Sequence, residues 1–207
     1  MLFPSSLASC LALCSLLGAA IAAPSPSPAA DLVVRKENDL KVKDKCQVVR
    51  ATVYALLSVD TPHAPTGSNE VHLERRNGFN SRKTAMTFEG IPPGATGCML
   101  TWDSPEPQHS GQYGDGPSVT VDVWSTAPWS SRQLPTYANP PPKNQMVSTF
   151  NVPVNQGQKG FHTVLVSSTC SPTMSFLLEY SSWQKGDGRA DWADRPGVVG
   201  FSMVFNC

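Results

Sequence analysis

Apolar and polar residues alternate along several short stretches of this chain, and Gly, Pro, Asn and Ser separate these stretches. In the stretch 118–125, Val119, Val121 and Val123 point to one side of an extended backbone and Trp124 points to the other. Because successive side chains of a strand lie on opposite faces, this period of two indicates strands with one buried face. Such strands are typical of antiparallel sheets that pack face to face. The pattern therefore predicts an all-β fold, an antiparallel β-sandwich of jelly-roll or immunoglobulin-like type.

About eight strands are expected from residue 46 onward, and helical periodicity is hard to find there. The expected strands cover 46–57, 84–90, 98–103, 118–125, 146–154, 162–170, 174–183 and 198–207. The side chains that define a buried face are clearest at Met86 and Phe88, at Phe176, Leu178 and Tyr180, and at Phe201, Met203 and Phe205. No internal repeat is visible, which argues against a β-propeller. We therefore predict a single β-sandwich domain over 46–207.

The first 22 residues have the plan of a secretory signal peptide. An apolar stretch over 7–17 leads into the small-residue run 18–23, where Ala20 and Ala22 fit the pattern that precedes a cleavage site. The stretch is shorter than the roughly 20 apolar residues of a membrane-spanning helix. The prolines that follow it would stop a buried helix, which is the other interpretation of an apolar segment. The sequence thus predicts a secreted, extracellular protein with a disordered Pro/Ser-rich and charged leader over 23–45.

Four cysteines remain after the signal peptide, namely Cys46, Cys98, Cys170 and Cys207. An even number of cysteines in an exported chain predicts two disulfides, and four cysteines allow three pairings. A zinc site is disfavoured because the chain has no Cys-x-x-Cys pair and no histidine at ligand spacing. No apolar tail follows Cys207, so we expect a protein that is released rather than held by a lipid anchor.

Composition and charge exclude several classes of partner. The 16 Lys and Arg residues balance the 16 Asp and Glu residues, so no net field attracts nucleic acid or an anionic membrane. Hydrophobic residues make up 40% of the chain, which is enough for a packed core and excludes wholesale disorder. We expect no cofactor, no metal ion, and no membrane association once the signal peptide is removed.

Several segments resemble a known family. They are TAMTFEGIPP at 84–93, GCMLTW at 97–102, the strand at 118–124, and the endings SFLLEY at 175–180 and GFSMVF at 200–205. Together they are similar to the fungal secreted proteins of the family called "ubiquitin 3 binding protein But, C-terminal domain". The resemblance covers roughly 46–207, and Cys98 is its firmest landmark. It implies a compact β domain, in a family mostly of unknown function, and it implies no catalytic residues.

The family takes its name from a relative that binds a component of the ubiquitin-like modifier pathway. A signal peptide and disulfides place the present chain where that machinery is absent. We therefore do not carry that partner over to this protein.

The common catalytic signatures are missing from the sequence. It has no G-x-S-x-G elbow, no H-E-x-x-H pair, no P-loop and no dinucleotide-binding glycine motif. The four histidines, His63, His72, His109 and His162, lie far apart and are interpreted as scattered rather than as a site. Folding can still bring one of them beside a carboxylate, which the sequence alone does not decide.

The segment 185–195 is expected to be a polar loop between two strands, with Asp187, Asp191 and Asp194 as its carboxylates. Calcium binds such oxygens, but the spacing is not that of a calcium loop, and the neighbouring arginines favour a loop that pairs with itself. A hydrolase acting on wall polysaccharide would need two carboxylates in one cleft. The candidates for that role are Asp103, Glu106, Asp187 and Asp191. Two of them can act together only if the fold brings their loops side by side.

Aromatic side chains give the most specific ligand class. Trp124 faces away from the valines of its strand, and Trp129 and Tyr137 follow in a long Pro/Ser-rich loop. Sugar rings stack on exposed aromatic faces, so these three residues are the candidate ligand-binding residues. The alternative is that they cover the outer face of a sheet. The long loops 104–117 and 127–145 would carry the recognition.

Taken together, these features predict a secreted, non-enzymatic β-sandwich protein of the extracellular space or cell wall. We expect it to act as an interaction or carbohydrate-binding module, with a cell-wall glycan or an extracellular protein as its partner. The alternative from another class is a secreted hydrolase that acts on cell-wall polysaccharide.

Overall fold

The computed structural model describes residues 46–106, 112–116, 119–155, 158–195 and 198–207. Over these residues the chain forms thirteen strands, all paired antiparallel, and no helix. No helix long and apolar enough to cross a membrane occurs in them. The predicted signal peptide, 1–22, the leader, 23–45, and His109 lie outside the described residues, and the predictions made for them stay predictions. The strands are β1 (Gln47–Arg50), β2 (Val53–Ser58), β3 (Gly67–Ser68), β4 (Glu70–Arg76), β5 (Phe79–Glu89), β6 (Cys98–Asp103), β7 (Gln112–Asp115), β8 (Val119–Thr126), β9 (Lys143–Val152), β10 (His162–Ser168), β11 (Thr173–Tyr180), β12 (Gly188–Ala193) and β13 (Gly200–Phe205).

The strands form two sheets, as the all-β sandwich prediction requires. The smaller sheet has four strands in the order β1-β13-β6-β10. The larger has nine: seven follow the order β7-β12-β4-β5-β11-β8-β9, while β2 pairs with β5 and β3 pairs with β2. Strand β5 is eleven residues long: its first part pairs with β4, and its later part pairs with β11 on one edge and with β2 on the other.

The main core lies between the two sheets and contains the faces that alternation predicts. Val119, Val121 and Val123 of β8 are fully buried there. The inward residues predicted on β5, β11 and β13 are buried in the same core, namely Met86, Phe88, Phe176, Leu178, Tyr180, Phe201, Met203 and Phe205. Burial of one such large side chain contributes about 1.5 to 3 kcal/mol, so the paired inner faces hold the two sheets together.

Aromatic rings form the centre of this core. Trp102 of β6 lies with its ring centroid 4.2 Å from that of Phe150 and 6.2 Å from those of Trp192 and Phe201. Both tryptophans are essentially inaccessible to solvent. The cluster joins strands of both sheets and so holds the two sheets together.

The prediction of about eight strands was too low. The predicted run 46–57 is two strands, β1 and β2, which belong to different sheets and are separated at Ala51 and Thr52. Strands β3, β4, β7 and β12 were not predicted at all, and the segment 185–195, expected to be a loop, contains strand β12. The physical reason is the composition of the outer faces: on β4 only Val71 and Leu73 face the core, and charged side chains between them hide the alternation.

Two disulfides are present, and they resolve the three possible pairings. Cys46 is bonded to Cys207, and Cys98 is bonded to Cys170. The first joins the residue before β1 to the residue two positions after β13, its antiparallel neighbour. The second joins the start of β6 to the segment that follows β10, which is also its neighbour. Strand pairing thus brings each pair of sulfurs together.

Candidate functional site

The three predicted aromatic residues lie together on the outer face of the larger sheet. Trp124, Trp129 and Tyr137 pack with Leu134 against a second apolar cluster, which is separate from the main core. That cluster consists of Ala55, Leu57, Ala85 and Leu177. Its members alternate along their strands with residues of the main core, so the larger sheet has apolar side chains on both faces.

These aromatic side chains are partly buried and cover the second cluster. The indole nitrogens of Trp124 and Trp129 are buried and have no hydrogen-bond partner among the described residues. Lysine ammonium groups lie over two of the rings: Lys143 Nζ is 4.5 Å from the centroid of Trp124, and Lys83 Nζ is 5.8 Å from that of Tyr137. Trp124 and Tyr137 therefore pack on the outer face of the sheet instead of projecting into solvent. This packing is the alternative that the sequence left open.

The segment 127–142 runs over this cluster and is fastened to the sheet. The Thr87 hydroxyl donates a 2.9 Å hydrogen bond to the Trp129 carbonyl, and the Trp129 N–H donates to the Ser175 hydroxyl at 3.2 Å. Ser131 donates to Glu89 from its N–H at 3.1 Å and from its hydroxyl at 2.7 Å. The Ser131 hydrogen bonds hold the pKa of Glu89 below its ordinary value. The segment is thus a fixed part of the fold, although it contains no strand.

A groove of about 620 Å³ lies within this segment, and the described residues that line it are uncharged. Trp129, Leu134 and five prolines form its apolar walls. Hydroxyl and amide groups are supplied by Ser130, Gln133, Thr136 and Asn139. Of the three predicted ligand-binding residues, Trp129 is the one that lines the groove, while Trp124 and Tyr137 are not among its lining residues.

A second depression, the His72 cleft, has a different chemical character. It has a volume of about 450 Å³ and lies on the outer face of β7, β12 and β4, where Glu70, His72, Tyr113, Arg189 and Asp191 line it. Along each strand these residues alternate with residues that point into the core, and across strands Asp191 lies directly opposite His72 and Tyr113. Their side chains therefore lie on the same face of the sheet. The cleft is thus polar and charged, whereas the groove is neutral.

Ion pairs join most of the side chains in the His72 cleft. The Nε2 atom of His72 is 2.8 Å from Glu70 Oε2, and its Nδ1 atom is 2.7 Å from Asp191 Oδ1. Arg189 pairs through Nε with the other oxygen of Asp191 and lies over the Tyr113 ring, 5.6 Å from the centroid. The contacts with Asp191 and Glu70 raise the pKa of His72 above its ordinary value, although burial of the ring opposes them.

Of the four carboxylates considered for hydrolysis, Asp103 and Glu106 line one pocket, whereas Asp187 and Asp191 lie elsewhere. Asp103 pairs with His162 at 2.7 Å beside a pocket that Glu106 also lines. Asp187 accepts hydrogen bonds from the N–H groups of Asn77 and Gly78, at 2.8 and 2.9 Å, while Asp191 belongs to the His72 cleft. The described part of the chain also has no group of three or more His, Cys, Asp or Glu side chains that could hold a metal ion.

Sequence reasoning missed the His72 cleft. Glu70 and His72 stand two positions apart, as partners on one strand face do, but β4 was not predicted and Asp191 was assigned to a loop. It also missed Trp183, whose side chain is the most exposed of the large apolar ones in the described residues at 69%. The period of two in Glu70-Val71-His72-Leu73 was the one signal available for the cleft.

Comparison with known proteins adds no relative. No model of a protein family matches the sequence, and no curated protein matches it. The resemblance to the But C-terminal domain family stays a prediction.

Proposed function

We propose that this chain is a secreted, non-enzymatic binding protein of the extracellular space or cell wall, and that it recognises uncharged carbohydrate in the groove of segment 127–142. The observation that carries the proposal is the lining of that groove, where Trp129 stands among hydroxyl and amide side chains and no charged residue of the described chain takes part. The all-β, disulfide-bonded fold is compatible with an extracellular binding module.

The chemistry of the groove matches that of a neutral sugar. A sugar ring has an apolar face that stacks on an aromatic ring, and its hydroxyls both donate and accept hydrogen bonds. The amides of Gln133 and Asn139 and the hydroxyls of Ser130 and Thr136 offer the same pair of functions. A charged ligand would find no counter-charge among these residues, so we favour an uncharged glycan.

Rigidity of the segment supports binding. The hydrogen bonds from Thr87 and to Ser175 and Glu89 fix the backbone of residues 129–131 before any ligand arrives. A loop that is already ordered loses less conformational entropy on binding. In this proposal Trp124 and Tyr137 support the groove from the sheet side, and Trp129 contacts the sugar.

The proposed compartment agrees with the covalent structure. All four cysteines of the described chain are in disulfides, which form and persist in oxidising compartments. The predicted signal peptide would deliver the chain to such a compartment.

The test is retention of the purified protein on insoluble polysaccharides and on an array of neutral glycans. We expect Trp129→Ala to weaken binding to the preferred glycan about tenfold, the size of one lost aromatic stacking contact. Trp183→Ala is the control, because it removes a tryptophan that is exposed and does not line the groove. The control should bind as the unaltered protein does.

Trp129 also contacts the second cluster, so a second variant separates binding from folding. The double change Gln133→Ala and Asn139→Ala alters two exposed groove residues and should weaken binding while the melting temperature stays the same. The proposal is wrong if no neutral glycan binds, or if both groove variants bind normally. Release of reducing sugar during the same incubation would favour the polysaccharide hydrolase instead, and capture of an extracellular protein without any glycan would favour a protein partner.

A further inference from the structure

His72 stands between two carboxylates on the outer face of the larger sheet, away from the groove of the proposed function. Glu70 precedes it by two positions on β4, and Asp191 lies directly opposite it on β12. The two ring nitrogens lie 2.8 and 2.7 Å from oxygens of Glu70 and Asp191. The side chain of His72 is 22% exposed, so solvent reaches the ring from one side.

The two contacts differ in kind. The Nε2 contact with Glu70 has hydrogen-bond geometry, whereas Asp191 Oδ1 is buried and makes no hydrogen bond among the described residues, so its contact with Nδ1 is an ion pair. A neutral imidazole has one N–H group, whereas an imidazolium has two and carries a positive charge. Two ionised carboxylates this close, one at each nitrogen, therefore favour the imidazolium. When the ring loses a proton, a nitrogen lone pair faces one of the carboxylates.

Asp191 is the partner that the neutral ring would lose. A neutral ring has one N–H group, and the contact that already has hydrogen-bond geometry, from Nε2 to Glu70, would keep it. The lone pair of Nδ1 would then face Oδ1 of Asp191, which is buried without a hydrogen-bond partner among the described residues, while Arg189 holds the other oxygen of Asp191.

The other charged groups that face His72 are paired with one another. Across a small pocket beside β2 and β5, His72 faces Arg82, Lys83 and Asp60. Arg82 lies 3.5 Å from Glu74 and 3.8 Å from Asp60, and Lys83 lies 2.9 Å from Glu179. On the β12 and β7 side the ring faces Arg189 and Tyr113, which stack on each other. Glu70 and Asp191 are therefore the groups that respond to the charge on His72.

We propose that His72 of β4 is a proton-dependent clasp, which pairs with Asp191 of β12 when protonated and releases it when neutral. Strand β12 is the described neighbour of the short strand β7, so a weaker contact between β4 and β12 would loosen both strands at this edge of the sheet. The protein would thus be tightest in mildly acidic surroundings and would open this edge as the pH rises.

The raised pKa of His72 gives the direction of the effect. A group with a folded pKa above its unfolded value stabilises the fold fully below the unfolded pKa, about 6.5 for histidine. That stability is lost as the pH rises through the folded pKa. For each unit by which the folded pKa exceeds the unfolded one, the unfolding equilibrium constant increases about tenfold across the transition.

The first test is an NMR titration of the histidine ring resonances in the intact protein. We expect His72 to titrate above about pH 6.5, with both ring nitrogens protonated in its acidic form. Glu70→Gln should lower its pKa, since a neutral amide no longer favours the imidazolium. The proposal is overturned if His72 titrates at or below the ordinary histidine value, or if Glu70→Gln leaves its pKa unchanged.

The second test separates a clasp from a merely structural histidine. Amide hydrogen exchange of β12, expressed as protection factors, should fall about tenfold or more between about pH 5.5 and about pH 8.5, while protection of β13 stays constant. His72→Gln should remove this pH dependence. His162→Gln, which removes a histidine paired with the single carboxylate of Asp103, should leave it intact. Equal pH dependence of β12 in the unaltered protein and in His72→Gln would overturn the proposal.

Discussion

The hydroxyl of Tyr54 donates a 2.8 Å hydrogen bond to Asp194, a residue 140 positions further along the chain. Tyr54 is 1% exposed, and the other carboxylate oxygen, Oδ1, is buried without a hydrogen-bond partner in the described part of the chain. Burial raises the pKa of Asp194 above its ordinary value, and the hydrogen bond from Tyr54 partly offsets this effect. Tyr54 is thus the donor that makes an ionised Asp194 tolerable in the fold.

Tyr54→Phe should lower the free energy of unfolding by about 1 to 3 kcal/mol at pH 7, since it leaves a buried carboxylate without its donor. A carboxyl group with a raised folded pKa stabilises the fold at low pH and loses that contribution as the pH rises through the folded pKa. The loss in Tyr54→Phe should therefore shrink as the pH falls and Asp194 takes up a proton. Denaturant unfolding over a pH series measures it. In an Asp194→Asn background the same change should cost less, and an equal cost in both backgrounds would contradict this account.

Gly200→Ala should be among the most destabilising single changes in the described chain. Its φ is +127°, and an added Cβ would lie 1.9 Å from Asp194 Oδ1. Backbone strain of this kind costs about 1 to 3 kcal/mol, and the contact with a buried carboxylate adds to it. Gly94→Ala is the matched control, because its φ is +82° and nothing lies within 4 Å of the added Cβ. Thermal unfolding should show a clearly larger loss for Gly200→Ala, and equal losses would mean that the side chain of Asp194 moves aside freely.

Glu179 should make the fold sensitive to acid. The residue is 7% exposed, accepts from Lys143, and lies 2.9 Å from Lys83. Burial alone would raise its pKa, but the hydrogen bond from Lys143 and the charge of Lys83 lower it below the ordinary value. Its contribution is therefore present above the unfolded pKa, about 4.3, and is lost as the pH falls through the folded pKa.

Glu179→Gln should accordingly cost about 1 to 3 kcal/mol at pH 7, and the difference from the unaltered protein should vanish in acid. Asp60→Asn, which breaks an ion pair with Arg76 between side chains nearly half exposed, should cost clearly less than Glu179→Gln does. Urea unfolding at pH 7 and at pH 3 measures both. A constant difference at the two pH values would show that Glu179 acts by packing and not by charge.

Peptide mapping under non-reducing conditions should find Cys46 linked to Cys207 and Cys98 linked to Cys170. Replacement of both cysteines of one pair by alanine should cost about 2 to 5 kcal/mol, since each bond closes a long loop. The loss of the Cys98 pair also removes a buried side chain from the main core, so it should cost at least as much as the loss of the other pair. Any other pairing, or a free thiol in the native protein, would contradict the strand order described above.

Local alternation predicted which side of a strand is buried, and the structure confirms this at Val121 of β8 and Met203 of β13. It did not predict strands with a charged outer face, such as β12, where Ala190 and Trp192 alternate with Arg189 and Asp191. Period-two signals are weak when only two of the residues are apolar. The disulfide pairing depends on which strands are neighbours, and a single sequence does not contain that information.

The same distinction applies to the candidate sites: the local sequence predicts some of their features, and contacts between distant strands decide the others. The closeness of Trp124 to Trp129 and Tyr137 follows from the path of the chain, which leaves β8 directly into the loop. Whether these rings are displayed or buried depends on Leu57 and Leu177, which come from distant strands. The His72 cleft likewise needs the register of β4 against β12, which no local pattern specifies.

The bond between Cys46 and Cys207 makes the domain a closed covalent ring. A peptidase that cuts this ring once, at any position between the two cysteines, produces a nicked molecule whose two new ends remain on one covalent piece. Nothing is shed until a second cut is made or the disulfide is reduced. In surroundings rich in proteases, one exposed and vulnerable loop is therefore not enough to separate one sheet of the sandwich from the other.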